Sequence, residues 1–302
     1  MRMKILVTGS NGLLGQKLVH ALHNDPEVEL IASARGENRL KKVAGFHYVS
    51  LDITDAQAVL ACIDEYQPDA VIHTAAMTQV DDCEDQQDLC WQLNVTAVEN
   101  MVKACEKHHV HLVHLSTDFI FNGKDGPYNE EATPDPLSFY GKSKLAAEEL
   151  IQASRISWSI LRTVLVYGVA EDMSRSNIVL WAKSALEKQQ QLRIVDDQFR
   201  TPTLAEDLAQ GCILAAKKRA KGIYNISGAD YMSVIELVIR VARYFKLDTS
   251  FVTPVSSSTL NQKAARPLLS GFDISKARKE LGYSPHSFEE GIALVMQQAS
   301  AT

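Results

Sequence analysis

The sequence has few cysteines, and their spacing fits neither a disulfide framework nor a redox pair. They are odd in number, scattered, and never in a C-x-x-C arrangement: Cys62, Cys83, Cys90, Cys105 and Cys212. Small disulfide-stabilised proteins carry an even set of cysteines in an oxidising compartment. We therefore expect reduced thiols that pack as small apolar side chains in a cytoplasmic protein.

Long apolar runs are also missing. No stretch approaches the ~18 residues that a membrane-spanning helix needs. The apolar run Ile5–Val7 breaks at Thr8–Asn11, and no small-residue cleavage pattern follows it. The sequence therefore predicts no membrane association and no signal peptide.

Positive charge is not in excess: the sequence has 31 Lys and Arg residues and 37 Asp and Glu residues, which gives a net charge of −6. This balance argues against a nucleic-acid partner, although a local basic pocket for phosphates stays open. No G-x-S-x-G elbow supports a nucleophilic triad. His111 and His114 fall on opposite faces of a predicted strand, so we expect no metal site.

What the sequence does contain is an alternation of short apolar runs and longer amphipathic stretches. This order predicts an α/β fold of the Rossmann type, a doubly wound parallel sheet with a smaller C-terminal substrate-binding lobe. We place the nucleotide-binding domain at 1–165 and most of the lobe at 166–302, with some segments returning to the first domain. The predicted strands are 4–8, 29–34, 70–74, 111–116, 157–162 and 222–226. The predicted helices are 12–23, 54–66, 87–108, 138–154, 176–188, 204–218, 233–245, 275–281 and 287–298.

A glycine-punctuated turn joins the first strand to the first helix. It reads Gly9-Ser10-Asn11-Gly12-Leu13-Leu14-Gly15, with the spacing G-x-x-G-x-x-G. Such glycines permit a tight turn, close approach of backbone to a pyrophosphate, and close packing of helix on sheet. The helix N-terminus then offers free N–H groups to phosphates. This segment predicts a dinucleotide-binding turn.

The residues after the second strand indicate which dinucleotide binds. Ser33 and Arg35 stand where an acidic residue would bind a ribose 2′-hydroxyl, and no carboxylate occurs before Glu37. We therefore expect NADP(H), with NAD(H) as the alternative if Arg35 is a surface charge. Asp52 and Ile53 are expected beside the adenine, although Asp52 could equally start a helix.

A proton-transfer group is predicted further along the chain. Tyr140 and Lys144 are four apart on one predicted helix and so share a face. An ammonium near a phenol lowers its pKa, which suits the phenol to exchange a proton with a carbonyl or alcohol oxygen. Thr117 or Ser116, at the end of the fourth strand, could hydrogen-bond the same oxygen.

Together these motifs resemble the extended short-chain dehydrogenase/reductase superfamily. The resemblance runs over nearly the whole chain and is carried by Gly9–Gly15, Thr74-Ala75-Ala76, Asn94, Ser116-Thr117-Asp118 and Tyr140–Lys144. It implies that Thr117, Tyr140 and Lys144 act together in catalysis, with Tyr140 and Lys144 also holding the cofactor ribose. It places further cofactor contacts on the glycine turn, Asp52, Ile53, Ala75, Ala76 and Asn94.

Several segments resemble the dTDP-4-dehydrorhamnose reductase family within that superfamily. They are 116–123, 161–163, Tyr167-Gly168, Asp197-Gln198, Pro202-Thr203 and Arg266-Pro267. The resemblance implies reduction of a 4-keto nucleotide sugar, with Ser116 and Asp118 at the substrate. The family usually reads D-Q-x-G-x-P-T, whereas Arg200 stands here near the expected sugar-nucleotide site. Arg200 and Arg266 are candidate diphosphate contacts, with surface charges as the alternative.

Two other functions stay open. One is a sugar-nucleotide epimerase or dehydratase, of which the dehydratase is disfavoured because no glutamate follows Asp118. A non-catalytic dinucleotide-binding subunit, such as the regulatory subunit of methionine adenosyltransferase, shares the superfamily resemblance. A homodimer is the expected assembly of a cytosolic enzyme.

Overall fold

The computed structural model of the protein describes residues 2–40, 42–171, 177–260 and 262–300. In chain order its strands are β1 (Met3–Thr8), β2 (Val28–Ala34), β3 (His47–Ser50), β4 (Ala70–His73), β5 (His111–Thr117), β6 (Ser157–Thr163), β7 (Val166–Tyr167), β8 (Leu192–Val195), β9 (Phe199–Arg200), β10 (Thr203–Leu204), β11 (Gly222–Asn225), β12 (Met232–Ser233) and β13 (Val252–Val255).

Seven of these strands form the central sheet, in the order β11-β6-β5-β4-β1-β2-β3. Every neighbouring pair in it is parallel. Strands covered by helices on both faces read as continuous apolar runs, as Ile5–Val7 and Ala70–Ile72 do. The strand order reverses between β1 and β4, which is the switch point of a Rossmann-type sheet. The predicted fold class is confirmed.

The α-helices of the described residues are α1 (Leu13–Leu22), α2 (Ala56–Tyr66), α3 (Val80–Asp85), α4 (Gln87–Trp91), α5 (Ala97–His108), α6 (Phe139–Ala153), α7 (Ile178–Glu187), α8 (Ala205–Lys218), α9 (Val234–Phe245) and α10 (Phe288–Ala299). Five of them, α1, α2, α5, α6 and α8, cover the two faces of the central sheet. On one face α1 and α8 pack against the sheet, for example through Leu18 and Leu208. On the other face α2, α5 and α6 bury Ile63, Met101 and Ile151 in a second core.

The helix predicted over 87–108 is not uniform. Gln92–Thr96 forms a π-helical turn between α4 and α5. This turn carries Asn94, whose side-chain amide binds the backbone N–H and C=O of Met77. A π-turn inserts one extra residue into a helix and is frequent at functional sites. A second predicted helix, 275–281, ends in another π-helical turn, Ala277–Leu281.

A third apolar cluster lies among α7, α9 and α10. The short parallel pair β8 and β13 beside it was not predicted, and neither was β3. The predicted helix 176–188 is present as α7, and Ser176 lies outside the described residues.

Although β11 comes from the second half of the chain, it forms an edge of the central sheet. The division at residues 165 and 166 stays a prediction. Every helix in the described ranges is too short or too polar to cross a membrane.

Candidate active site

A cavity of about 1050 Å³ opens at the carboxyl ends of the central strands. In an open α/β sheet, ligands bind at this edge, at the topological switch point. Sixteen of the predicted site residues line it: Gly9, Gly12, Leu13, Leu14, Gly15, Ser33, Arg35, Asp52, Ile53, Ala75, Ala76, Ser116, Thr117, Asp118, Tyr140 and Lys144. The fold thus brings the glycine turn and the Tyr140 helix to one space.

The glycine turn has the backbone shape that a diphosphate requires. Gly9 has a φ of +73°, and a Cβ there would lie 2.7 Å from the Thr74 hydroxyl oxygen. A Cβ on Gly15 would clash with the carbonyl oxygen of Gly9. No side chain caps the start of α1, and its first turn holds no acidic residue. Its free N–H groups and positive dipole end therefore suit an anion, and the turn fits a dinucleotide.

Asn11 supports this turn and does not line the cavity. Its amide donates to the Glu37 carbonyl oxygen at 2.9 Å, and its side-chain oxygen accepts from the Arg39 N–H at 3.0 Å. These bonds tie the glycine turn to the loop that follows β2, where Arg35 lies. The Ser33 hydroxyl donates to the Val7 carbonyl oxygen at 3.3 Å, which joins β2 to β1.

Asp52 lies on the cavity wall but also organises the chain before α2. Its carboxylate accepts hydrogen bonds from the Thr54 N–H at 2.9 Å and the Thr54 hydroxyl at 2.7 Å. These bonds lower the pKa of Asp52. The N-cap of α2 itself is Asp55, which accepts from the N–H groups of Gln57 and Ala58. Asp52 therefore holds the turn ahead of the helix.

Asn94 is fully buried and lies behind the cavity wall. Besides its two bonds to Met77, its amide donates to the Ser143 hydroxyl at 3.0 Å. It thereby joins the segment after β4, which carries Ala75 and Ala76, to the middle of α6. Asn94 is not among the residues that line the cavity, and the direct cofactor contact that the family resemblance implied for it stays a prediction.

Tyr140 and Lys144 lie one turn apart on α6. The N-cap of this helix is Ser138, whose hydroxyl accepts a hydrogen bond from the Gly141 N–H. Burial raises the pKa of the Tyr140 phenol, and a hydrogen bond with Thr117 opposes that rise only in part. The expected lowering of this pKa by Lys144 is therefore wrong for the structure as it stands. The phenol is protonated at neutral pH, as a proton donor must be.

Lys144 is 3% exposed, and its ammonium Nζ lies 3.2 Å from Nε2 of His114 on β5. Burial lowers the pKa of Lys144 to about 8, and the carboxylate of Glu148 opposes this shift. The lysine therefore titrates close to the neutral range. The sequence analysis considered His114 only as a possible metal ligand, which it did not favour, and no sequence pattern indicated its contact with Lys144.

Asp118 forms the floor of the cavity beside Thr117. Its carboxylate accepts from the Thr117 hydroxyl at 3.2 Å and from the Ser270 hydroxyl at 2.5 Å. Burial raises the pKa of Asp118, although Arg200 opposes the rise. Ser270 comes from the last part of the chain, and sequence reasoning missed it.

Arg200 is neither a surface charge nor part of the cavity wall. It is 6% exposed, and its guanidinium donates to the carbonyl oxygens of Phe199, Pro267 and Leu268. Its Nε lies 3.8 Å from the Asp118 carboxylate. The surface-charge alternative is wrong, because the fold buries Arg200 to hold the 267–268 segment and to face Asp118.

Arg266 also lies away from the cavity wall. Its guanidinium binds the Asp81 carboxylate on α3 at 2.8 Å, and the same carboxylate accepts from the Ala264 N–H at 3.1 Å. The loop around Arg266 is thereby fixed to α3. Among the described residues, no group of three or more His, Cys, Asp or Glu side chains could hold a metal ion.

The site as a whole defines the class of protein. A Rossmann-type sheet with a glycine turn at its switch point, and Thr117 beside a Tyr140-x-x-x-Lys144 helix, is that of an extended short-chain dehydrogenase/reductase. The family model for the RmlD substrate binding domain matches residues 3–301, and the chain belongs to this family.

Individual relatives are similar over most of their length. The spore coat polysaccharide biosynthesis protein SpsK of Bacillus subtilis is 31% identical, with 99% of this chain and 98% of that protein covered. Methionine adenosyltransferase 2 subunit beta of Xenopus tropicalis is 30% identical, with 91% and 82% covered. The crystal structure of dTDP-4-dehydrorhamnose reductase from Bacillus anthracis in complex with NADP has a TM-score of 0.85 and 28% identity, with 99% and 100% covered.

Proposed function

We propose that the protein is an NAD(P)H-dependent reductase of a 4-keto nucleotide sugar. The observation that carries this proposal is that Thr117, Tyr140 and Lys144 line the same cavity as the glycine turn. The proposed proton donor would thus lie beside the space that suits a dinucleotide. The family membership and the solved reductase from Bacillus anthracis support the same reaction class.

The cavity offers groups for each part of the dinucleotide. The N–H groups at the start of α1 would bind its diphosphate, and Ser33 and Arg35 its adenosine ribose, where a guanidinium favours a 2′-phosphate. Asp52 and Ile53 would flank the adenine. Lys144 would hold the second ribose, and when bound the reduced nicotinamide supplies the hydride.

The chain's own residues supply the proton. As hydride adds to the carbonyl carbon, Tyr140 gives its phenolic proton to the carbonyl oxygen, so that the ketone becomes an alcohol. Thr117 hydrogen-bonds the same oxygen and stabilises its developing negative charge. The phenolate that remains then takes up a proton from solvent, which restores the phenol.

The preferred substrate in this proposal is dTDP-4-keto-6-deoxy-L-mannose, with NADPH as the reductant. The segments that resemble the dTDP-4-dehydrorhamnose reductases support this choice, as does the similarity to the solved Bacillus anthracis reductase with NADP bound. Ser116 and Asp118 line the cavity where the sugar would lie. A dehydratase is disfavoured because Phe119, rather than a glutamate, follows Asp118.

The test is oxidation of NADPH and NADH by the purified protein with this keto sugar, followed by absorbance. We expect turnover that Tyr140→Phe lowers by at least about a hundredfold, the range of a lost general acid. Dinucleotide binding, measured by fluorescence, should survive the substitution. Full activity in Tyr140→Phe would contradict the mechanism, and turnover of another keto nucleotide sugar alone would change the substrate.

A second candidate is a non-catalytic subunit that binds the dinucleotide while controlling a partner enzyme. The observation that favours it is the 30% identity to methionine adenosyltransferase 2 subunit beta over 91% of this chain. Tight dinucleotide binding without turnover of any keto nucleotide sugar, together with a changed rate of an added methionine adenosyltransferase, would support this candidate over the reductase.

A further inference from the structure

Two histidine rings lie stacked behind the catalytic lysine. His73 ends β4, and His114 lies beside it on β5, with ring centroids 5.6 Å apart and planes inclined by 23°. Each is 1% exposed. Only His114 reaches Lys144, through the 3.2 Å contact between its Nε2 and Nζ. The family resemblance assigns a role to Lys144 but not to this imidazole.

The chemistry of the contact fixes how His114 is protonated. A lysine ammonium donates hydrogen bonds and accepts none, so Nε2 is the acceptor in this contact. The ring proton then lies on Nδ1, which is buried and has no hydrogen-bond partner among the described residues. Burial and the Lys144 charge hold the pKa of His114 well below its usual range. Burial also lowers the pKa of His73 to about 3. Both rings are therefore neutral at working pH.

The buried Lys144 ammonium needs a hydrogen-bond acceptor such as the His114 ring. Glu148, one turn further along α6, acts on the ammonium by its charge, as Cys90 on α4 does. The Glu148 carboxylate, however, is bound to Arg162 at 2.7 and 3.1 Å. A buried ammonium without a hydrogen-bond partner loses free energy relative to water. His114 supplies this partner from the sheet.

We propose that His114 is a positioning residue. Its Nε2 accepts a hydrogen bond from one of the three N–H groups of the Lys144 ammonium and so directs the other two N–H groups toward the cavity. A fixed ammonium keeps its place for the cofactor ribose throughout turnover. His73 packs against the His114 ring and holds its plane. The kinetic consequence rests on the proposed reductase function, whereas the contact itself can be tested without turnover.

The first experiment titrates Lys144 directly. The full-length protein is labelled with [6-13C]lysine, the Lys144 signal is assigned with Lys144→Met, and its midpoint is followed by NMR. In His114→Leu, loss of the acceptor disfavours the ammonium, so the midpoint should fall by about one pH unit or more. In His114→Gln the side-chain oxygen can replace Nε2 as the acceptor, so the midpoint should return most of the way to its wild-type value.

The matched control is His111→Leu, because His111 is a buried histidine on the same strand. Its ring pairs with the hydroxyls of Ser157 and Ser159, away from Lys144. This variant should leave the Lys144 midpoint unchanged. An unchanged midpoint in His114→Leu, or an equal shift in His111→Leu, would overturn the proposal. Should His114→Leu fail to fold, His114→Phe keeps a flat ring against His73 and carries the same test.

The second experiment measures reduction. His114→Leu should lower kcat about tenfold or more with little change in KM for the nucleotide sugar, and should move the alkaline limb of the kcat profile to lower pH. His114→Gln should recover both. A uniform loss at every pH would mean that His114 is merely structural. If the wild-type protein turns over no keto sugar, the reductase proposal fails, while the Lys144 titration still decides the role of His114.

Discussion

Arg162 and Glu148 form a two-point ion pair inside the protein. Nε and Nη2 of the guanidinium donate to the two carboxylate oxygens at 3.1 and 2.7 Å, and the side chains are 3% and 0% exposed. The pair joins β6 to α6, one turn beyond Lys144. It therefore fixes the helix that carries the proposed proton donor.

We expect Glu148→Gln to lower the free energy of unfolding by about 3–5 kcal/mol, because it leaves a buried guanidinium without its counter-charge. Urea unfolding followed by circular dichroism measures the change. Glu99→Gln is the matched control, since Glu99 pairs with Lys103 on the surface of α5, with side chains 46% and 69% exposed. The control should change stability by less than about 1 kcal/mol, and a similar small effect of both substitutions would contradict the assignment.

Gly15→Ala should weaken dinucleotide binding by more than tenfold and destabilise the fold. The added Cβ would clash with the Gly9 carbonyl oxygen, which belongs to the backbone and cannot rotate away. Gly12→Ala is the comparison, because a Cβ there meets the same oxygen at 3.3 Å and asks for a smaller adjustment. Thermal unfolding distinguishes the two variants, and equal destabilisation by both would count against the packing argument. Fluorescence titration with NADPH measures the loss of binding in Gly15→Ala.

Reductase activity should be lost as the pH rises through about 8. Burial lowers the pKa of Lys144 to about 8, so the ammonium persists below that pH and the neutral amine forms above it. The pKa of Tyr140 is raised, so the phenol loses its proton only at higher pH. A pH profile of kcat/KM measures this alkaline limb, the fall in activity above about pH 8. Any activity left in Lys144→Arg should lack it, since a guanidinium stays charged. A limb that persists in that variant belongs to another group.

Arg35→Gln should raise the dissociation constant of NADPH by about tenfold or more and leave that of NADH nearly unchanged. A guanidinium binds a 2′-phosphate by charge-assisted hydrogen bonds, which the NADH ribose cannot offer. Because both cofactors share every other contact, NADH binding serves as the internal control in a fluorescence titration. Equal losses for both cofactors would show that Arg35 does not discriminate between them.

Six of the seven strands of the central sheet could be predicted because their evidence is local. Apolar runs such as Ile5–Val7 and Ala70–Ile72 indicate buried strands on their own, and the glycine turn marks where the first one ends. The Tyr140 and Lys144 spacing likewise predicts a shared helix face. The π-turn at Gln92–Thr96 could not be predicted, because it depends on bonds from Asn94 to Met77 and Ser143, far apart in sequence.

The sequence by itself determined the fold class, the glycine turn and the candidate proton donor, because each depends on residues within one or two adjacent elements. The tertiary structure decided which partners the charged side chains contact. Arg200 and Arg266 have no local signal of burial or partners, yet packing places them against the carbonyl oxygens near Pro267 and against Asp81. It also sets the protonation of Tyr140 and Lys144, because desolvation depends on everything that surrounds a side chain and not on its neighbours in the chain.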